Sequence, residues 1–174
     1  MIIELTAGDA HQAVLIGLQR HASNQQAGRQ EFNGAGQGTR SSPRIHVAGV
    51  LGEIAVARAL GLPFDPAERV VYRRDSDDLA PGLEVRTRTR RHYDELYVHE
   101  KDRPGLIYVL AKLDAPTPDE EGAYDLSSRI VEIAGWISSQ EAMLVRRRVN
   151  FGKPNWACHQ RHLHPIDELP QLDL

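Results

Sequence analysis

A nearly continuous apolar stretch lies in residues 42–61, SPRIHVAGVLGEIAVARALG. In its middle part, residues 47–57, the only charged residue is Glu53, so a helix here is apolar on almost every side and should be largely buried. Pro43 suits the first turn of a helix, and Gly61 suits the position after the last turn. The pattern therefore predicts one buried helix between these two residues.

Two features of this helix carry information beyond its burial. A lone carboxylate in an apolar helix is costly unless its charge is compensated, so Glu53 either lies on a narrow exposed stripe and pairs with Arg58 or another neighbour, or belongs to a site. Gly49 and Gly52 each cost about 1 kcal/mol relative to alanine in a helix interior. Their spacing of one turn predicts that the helix approaches another backbone closely.

An earlier helix is predicted near the N-terminus. Residues 2–5 indicate a short strand or a simple lead-in, and Thr6 with Asp9 resembles a capping box for a helix that ends near His21. This helix is expected to bury an apolar stripe made of Ala10, Val14, Leu18 and, as an open case, Leu15. The polar, glycine-rich residues 23–44 follow, either as a flexible loop that orders on a ligand or as plain disorder.

The second half of the chain consists of short alternating runs, which are typical of strands. A strand over residues 83–90 places four charged side chains on one face, namely Glu84, Arg86, Arg88 and Arg90. Further strands are predicted at residues 69–73, 95–99, 106–113 and 129–136. Ser138 and Glu141 form a second capping box, for a short helix over residues 140–144.

This order of elements predicts the fold class. Two helices, a run of strands and a short helix indicate an α/β (α+β) protein, with a central mixed β-sheet of about four to five strands flanked by helices. A chain of 174 residues is long enough for one domain with a real core. We therefore expect a single domain over residues 1–174, with a C-terminal extension from about residue 145.

Composition narrows the class of protein. Hydrophobic residues make up 41% and charged residues 26% of the chain, as in a soluble globular protein. The formal net charge is −3, so a nucleic-acid contact would need a local basic patch. With the single Cys158, no signal peptide and no bilayer-spanning stretch, a cytoplasmic protein with no membrane partner is expected.

The acidic run before the charged strand is the main candidate for chemistry. Asp75, Asp77 and Asp78 precede a Pro81-Gly82 turn signal and the strand that begins with Glu84 and Arg86. The simple interpretation is a solvated charged face. The alternative is a site in which carboxylates hold a divalent cation and arginines hold a phosphodiester.

Together these motifs resemble a known family. A helix with GxxGE (Gly49, Gly52, Glu53), an Asp beside a turn and a Glu-x-basic strand look like the PD-(D/E)XK nuclease superfamily. More closely, the chain resembles small phage and prophage restriction-endonuclease-like proteins, in which an EVRT strand is followed by an apolar strand and a GWI segment, here residues 135–137. The resemblance covers about residues 47–142.

The resemblance implies a set of site residues. Asp78, or else Asp75 or Asp77, and Glu84 would bind Mg²⁺ or Mn²⁺, and Glu53 would complete the shell or hold a second ion. Val85 could offer its carbonyl oxygen. Arg86 stands where the superfamily usually has lysine; it would stabilise charge on the phosphate but cannot deprotonate water. If a lysine is needed, Lys101 or Lys112 would have to supply it.

The implied activity is metal-dependent hydrolysis of DNA. Its backbone would be gripped by four arginines, namely Arg73, Arg74, Arg88 and Arg90, and a homodimer is left open. The main alternative is a catalytically inactive protein of the same fold that binds DNA or a protein partner, which Arg86 favours. A further alternative is an unrelated α+β module. The spacing of Cys158 and the nearby histidines matches no usual zinc site.

Overall fold

A computed structural model describes residues 1–27, 43–69, 78–89, 93–99, 102–114, 124, 129–150 and 154–171. Its elements, in chain order, are β1 (Ile2–Glu4), α1 (Ala7–Gln26), α2 (Pro43–Leu60), α3 (Pro66–Arg69), β2 (Leu83–Arg88), β3 (Glu95–Val98), β4 (Ile107–Lys112), β5 (Ile130–Ser138), α4 (Ser139–Val145), β6 (Arg147–Asn150) and β7 (Pro154–His159). Two 3₁₀ turns follow, at Gln160–His162 and Ile166–Glu168. Within the described ranges no helix is long and apolar enough to cross a membrane.

The main sheet has four strands in the order β1-β5-β4-β2. β2 and β4 are parallel, whereas the β4–β5 and β5–β1 pairs are antiparallel, so the sheet is mixed, as the sequence predicted. The apolar run of β4 lies in the interior of the sheet, where both of its faces are covered. β2, with its charged residues, forms one edge.

Helices α1 and α2 cover one face of this sheet. The core between these helices and the main sheet contains most of the apolar residues of α2, together with Leu83 and Val85 of β2. A Cβ at Gly52 would lie 2.2 Å from the Thr87 hydroxyl oxygen, so glycine is what lets α2 lie this close to β2. The predicted close approach is therefore found at Gly52, against a side chain, whereas a Cβ at Gly49 would meet nothing within 4 Å.

A second, three-stranded sheet covers the opposite face. Its antiparallel strands are ordered β3-β7-β6, and with α4 they enclose a smaller core made of Leu96, Val98, Leu106, Tyr108, Leu110, Ile137, Ala142 and Cys158. The sequence predicted one central sheet and a C-terminal extension, and it missed β6 and β7. The extension belongs to the fold because β7 supplies the partner strand for β3, which otherwise would pair with nothing in this sheet.

The local signals at the helix ends are confirmed. Both capping boxes form, with Thr6 and Asp9 at α1 and Ser138 and Glu141 at α4, and Gly61 follows α2 with a φ of +65°. α1 continues five residues beyond the predicted end, to Gln26.

The prediction of the buried stripe of α1 is partly wrong. Leu15 and Leu18 are exposed, whereas the buried stripe consists mostly of small residues, Ala10, Ala13 and Gly17, together with Ile16. The reason is the close packing of the two helices, because a Cβ at Gly17 would lie 2.6 Å from the backbone nitrogen of Val47. Arg69, predicted in a strand, ends α3, and the rest of that strand and of the 23–44 loop (residues 70–73 and 28–42) lie outside the described residues.

The GWI segment marks an irregularity in β5. The β4–β5 register shifts between Leu110 and Ala111, opposite Gly135. Gly135 has a φ of +146°, and a Cβ there would lie 2.4 Å from the His164 carbonyl oxygen. Trp136 and His164 exchange two backbone hydrogen bonds of 2.9 and 2.8 Å. Gly135 is therefore needed for the bulge that ties the C-terminal segment to the main sheet.

Candidate functional site

Asp78 occupies the open edge of β2. Its Oδ2 accepts a hydrogen bond from the Val85 N–H (2.7 Å), and its own N–H donates to the Leu83 carbonyl (3.1 Å). These backbone groups point away from β4, and no other strand in the described part of the chain pairs with β2 on this side. Because the N–H and C=O of a strand residue point to the same side, the Val85 carbonyl also lies at this edge.

Glu53 reaches the same region from α2 and is already paired. Arg20 of α1 binds it through two parallel hydrogen bonds, Nη1 to Oε1 at 2.6 Å and Nη2 to Oε2 at 2.8 Å. The two side chains are only 12% and 6% exposed, so this is a buried bidentate ion pair. The suggested pairing with Arg58 is wrong, because Arg58 binds Asp9, Nη2 to Oδ2 at 2.7 Å.

Glu84 and Arg86 lie on the face of β2 opposite α2, as the alternation predicted. The Arg86 guanidinium is 3.5 Å from Glu84 and 3.0 Å from Asp102, and it lies over the Tyr108 ring. Asp102 also accepts hydrogen bonds from the Tyr108 hydroxyl and the His99 N–H, both at 3.0 Å. Arg86 is therefore held in place by two carboxylates.

Asp102 is the member of this group that sequence reasoning missed. It lies in a Lys-Asp-Arg-Pro-Gly run that indicated only a turn. The available signal was its position directly before β4, the strand that pairs with β2 in parallel register. Glu84 lies opposite Tyr108 in that register, so a turn preceding β4 had to come near the start of β2.

The electrostatics show that the two arginines do not balance the carboxylates. Burial raises the pKa of Asp78 to about 8, with further increases from Glu53 and Glu84 that outweigh the effects of the Val85 hydrogen bond and Arg86. Burial likewise raises the pKa of Glu84, to which Asp102 and Glu53 add. Among the described residues, full ionisation of all four carboxylates beside the two guanidinium groups would leave a formal charge of −2, and the proton that Asp78 retains up to about pH 8 relieves part of it.

The arrangement fits a divalent cation only in part. Among the described residues, no group of three or more His, Cys, Asp or Glu side chains is placed to hold a metal ion. Glu53 is turned to Arg20, which leaves Asp78 and Glu84 as the available carboxylates. Mg²⁺ commonly uses one or two carboxylates and keeps several waters, so the donor set is sufficient for it. Asp75 and Asp77 lie outside the described residues.

Of the four arginines expected to contact DNA, Arg88 lies in the described part of the chain. Arg73, Arg74 and Arg90 lie outside the described residues. Arg88 stacks over the rings of Tyr97 and Tyr93, at 4.1 and 4.9 Å from their centroids. Its Nη2 also donates to the Tyr97 hydroxyl at 3.2 Å, so Arg88 joins the main sheet to the second sheet.

Lys112 lies too far from Glu84 to serve as the catalytic lysine. It lies opposite Arg88, four positions along the sheet from the pair of Glu84 and Tyr108, which corresponds to about 13 Å. Its ammonium group is buried and donates to Asp94 at 2.9 Å and to Gln160 at 3.0 Å. Lys101, the other candidate, lies outside the described residues.

Fold and site together define an α/β protein with an acidic cluster at the edge of a mixed sheet. The chain was compared with family models, with curated proteins and with solved structures, and none of the three comparisons found a match.

Proposed function

We propose that this protein is a metal-dependent DNA nuclease of the PD-(D/E)XK type. The observation that carries the proposal is the excess of carboxylates over cations among the described residues at the edge of β2. Arg20 binds Glu53, Arg86 is shared between Glu84 and Asp102, and the pKa values of Asp78 and Glu84 are raised. Carboxylates that raise each other's pKa are unfavourable without a cation. A divalent ion would bring the formal charge of the group to zero.

Each residue has a distinct part in this proposal. Asp78 and Glu84 would hold Mg²⁺ or Mn²⁺, and the Val85 carbonyl at the same edge is a further oxygen donor. When bound, such an ion supplies Lewis-acid polarisation of a phosphate and lowers the pKa of a coordinated water. Arg20 holds Glu53 beside this position through its two hydrogen bonds.

Arg86 would bind the phosphate rather than transfer a proton. Its guanidinium is always charged at neutral pH, and Asp102 and Glu84 hold it on the face where the substrate would lie. Fixed positive charge of this kind stabilises negative charge that develops on phosphate oxygens. A water bound near Asp78 and Glu84 would have to lose its proton to solvent or to one of these carboxylates.

The second candidate is an inactive protein of the same fold that binds DNA or a protein. The observation that favours it is that Glu53 is fully engaged by Arg20 and that Arg86 replaces lysine and is engaged by Asp102. Arginines then substitute for part of the charge that a metal would supply. Metal binding separates the two candidates, since only the first requires Asp78 and Glu84 as ligands.

The decisive experiment is cleavage of supercoiled and linear DNA in Mg²⁺, Mn²⁺ or EDTA. The variant Glu84→Gln removes one ligand charge, and Glu168→Gln removes an exposed carboxylate elsewhere as the matched control. We expect wild type and Glu168→Gln to cleave DNA in metal only. We expect Glu84→Gln to lose at least about a hundredfold in rate, because a ligand of the ion is lost.

Thermal unfolding with and without 10 mM Mg²⁺ tests the site itself. Wild type should be stabilised by the ion, whereas Asp78→Asn and Glu84→Gln should not. Cleavage that persists in Glu84→Gln would refute the site assignment. A folded wild-type protein that neither cleaves DNA nor responds to either ion would establish the second candidate instead.

A further inference from the structure

Charge is distributed unevenly along the chain. Residues 142–166 contain five lysines and arginines but no aspartate or glutamate. The net charge of −3 therefore divides into +5 for this segment and −8 for the rest. Such asymmetry creates a local positive surface on an acidic protein, which is the electrostatic pattern of a polyanion-binding surface.

The structure gathers part of this charge at the end of α4 and along β6. We call this the C-terminal basic surface, and it consists of Arg146 and Arg148, which lie on the same side as Trp156, whereas Arg147 points to the opposite face of β6. The Arg146 guanidinium is held over the Trp156 ring, 4.0 Å from its centroid. Arg147 is exposed and donates from Nε to Glu95 at 2.9 Å. Arg148 is also exposed, at the start of this edge strand of the second sheet.

Two exposed apolar side chains adjoin these arginines. Leu144 is 85% and Met143 is 53% exposed, at the end of α4. Met143 and Leu144, next to Arg146 and Arg148, fit a ligand that has both phosphate groups and apolar surface. Nucleic acid is such a ligand, because its phosphates lie beside sugars and bases. An anionic membrane is a poorer fit, because an interfacial helix needs a long apolar face and α4 has only seven residues.

This surface continues into the candidate site. The N-terminus of α4 contacts the turn before β4, where the Ser139 N–H donates to the Leu106 carbonyl (2.7 Å) and the Gly105 N–H donates to the Ser139 hydroxyl (3.0 Å). The same turn carries Asp102, the partner of Arg86, and the exposed Arg103. One end of α4 therefore adjoins the basic surface, and its other end packs on the turn that leads to the acidic cluster.

We propose that the C-terminal basic surface binds the sugar-phosphate backbone of nucleic acid and guides it to the cluster around Asp78 and Glu84. The guiding role rests on the proposed function, but the binding itself needs no metal. Arg88 stacks on two tyrosines. In this proposal, the described residues that contact DNA are therefore those of the C-terminal basic surface and not Arg88. Contacts to phosphate alone provide affinity and salt dependence without sequence preference.

The test is fluorescence anisotropy with labelled single-stranded and duplex DNA in EDTA, from 50 to 200 mM salt. The variants are Arg148→Gln, the double variant Arg146→Gln/Arg148→Gln, and Arg58→Gln as a control that removes one cation from the helical face. We expect the double variant to bind about tenfold more weakly at 100 mM salt, with the salt slope reduced by about 1 for each arginine. Arg58→Gln should bind as wild type does.

Several results would overturn the inference. These are wild-type protein that does not bind DNA, a double variant that binds as tightly as wild type, or equal losses in Arg58→Gln. Wild-type binding to phosphatidylserine vesicles but not to DNA would also overturn it, in favour of a membrane surface. Arg148→Gln alone should keep the wild-type melting temperature, so a loss of affinity there does not reflect unfolding.

The two proposals fail separately. If the double variant loses DNA binding and the wild type never cleaves DNA, the basic surface stands and the nuclease proposal fails. If the wild type cleaves DNA and the double variant binds and cleaves it equally well, the nuclease proposal stands and the basic surface fails.

Discussion

Two groups of arginines and carboxylates lie on either side of β2, and they differ in balance. On the helix side, Arg20 and Glu53 form what we call the closed pair, a buried ion pair joined by two parallel hydrogen bonds and with almost no exposure. On the other side, Arg86 is shared between Glu84 and Asp102, and Asp78 lies at the edge with a raised pKa.

This difference distinguishes the ion pair that stabilises the fold from the carboxylates that are available to bind a ligand. A matched buried pair satisfies its own charges, and removal of either partner leaves an uncompensated charge in the interior. An unbalanced cluster at a partly exposed edge is unfavourable as it stands, and a cation or a proton relieves it. Perturbed carboxylates of the second kind are the ones that mark functional sites.

The largest effect is expected from breaking the closed pair. Arg20→Ala should lower the free energy of unfolding by about 3–5 kcal/mol, because Glu53 is left buried and unpaired. Urea unfolding at pH 7 measures this change. The double variant Arg20→Met/Glu53→Met removes both charges and should recover most of the loss. A loss below about 1 kcal/mol for Arg20→Ala would mean that the pair is not closed.

The open cluster consists of Asp78, Glu84, Arg86 and Asp102. Removal of the Asp78 charge is expected to raise the free energy of unfolding rather than lower it. The folded protein keeps a proton on Asp78 up to a pH of about 8, whereas a model carboxyl loses it near 3.8. This group's contribution to stability is therefore complete below pH 3.8 and is lost as the pH rises through 8. Asp78→Asn does not titrate, so in EDTA its advantage over wild type should grow by about 4 kcal/mol between pH 5 and pH 9.

Urea unfolding at pH 5, 7 and 9 measures this growing difference. Asp167→Asn, at an exposed aspartate away from the cluster, is the matched control and should show no such trend. A constant difference between Asp78→Asn and wild type across this range would show that Asp78 titrates normally. The closed pair and the open cluster would then be electrostatically alike.

The smallest effect is expected at an ion pair on the outside of the helical layer. Arg58 is 42% exposed and binds Asp9, which also caps α1. Arg58→Gln should cost less than about 1 kcal/mol, because solvent and salt screen an exposed pair. A thermal melt at low and high salt checks this. A loss as large as that of Arg20→Ala would remove the distinction between buried and exposed pairs.

Local signals in the sequence predicted much of the fold. The apolar stretch of α2, the alternation of β2, the apolar run of β4 and the capping boxes of α1 and α4 were all recognised and are confirmed. Each depends on residues a few positions apart, which fix local dihedral preferences and the side of an element that becomes buried. The shared face of Glu84 and Arg86 followed from the same alternation, whereas Asp78 was one of three aspartates that the resemblance left open.

Only the tertiary structure decided which groups meet across the chain. Arg20 and Glu53 are 33 residues apart, Arg86 and Asp102 are 16 residues apart, and β3 pairs with β7 across more than 50 residues of sequence. No local pattern specifies such partners, because the energy of an ion pair or a strand pair depends on distance in space after packing. The sequence by itself therefore determined most of the helices and strands and the acidic run beside β2, whereas packing decided which carboxylates pair with arginines.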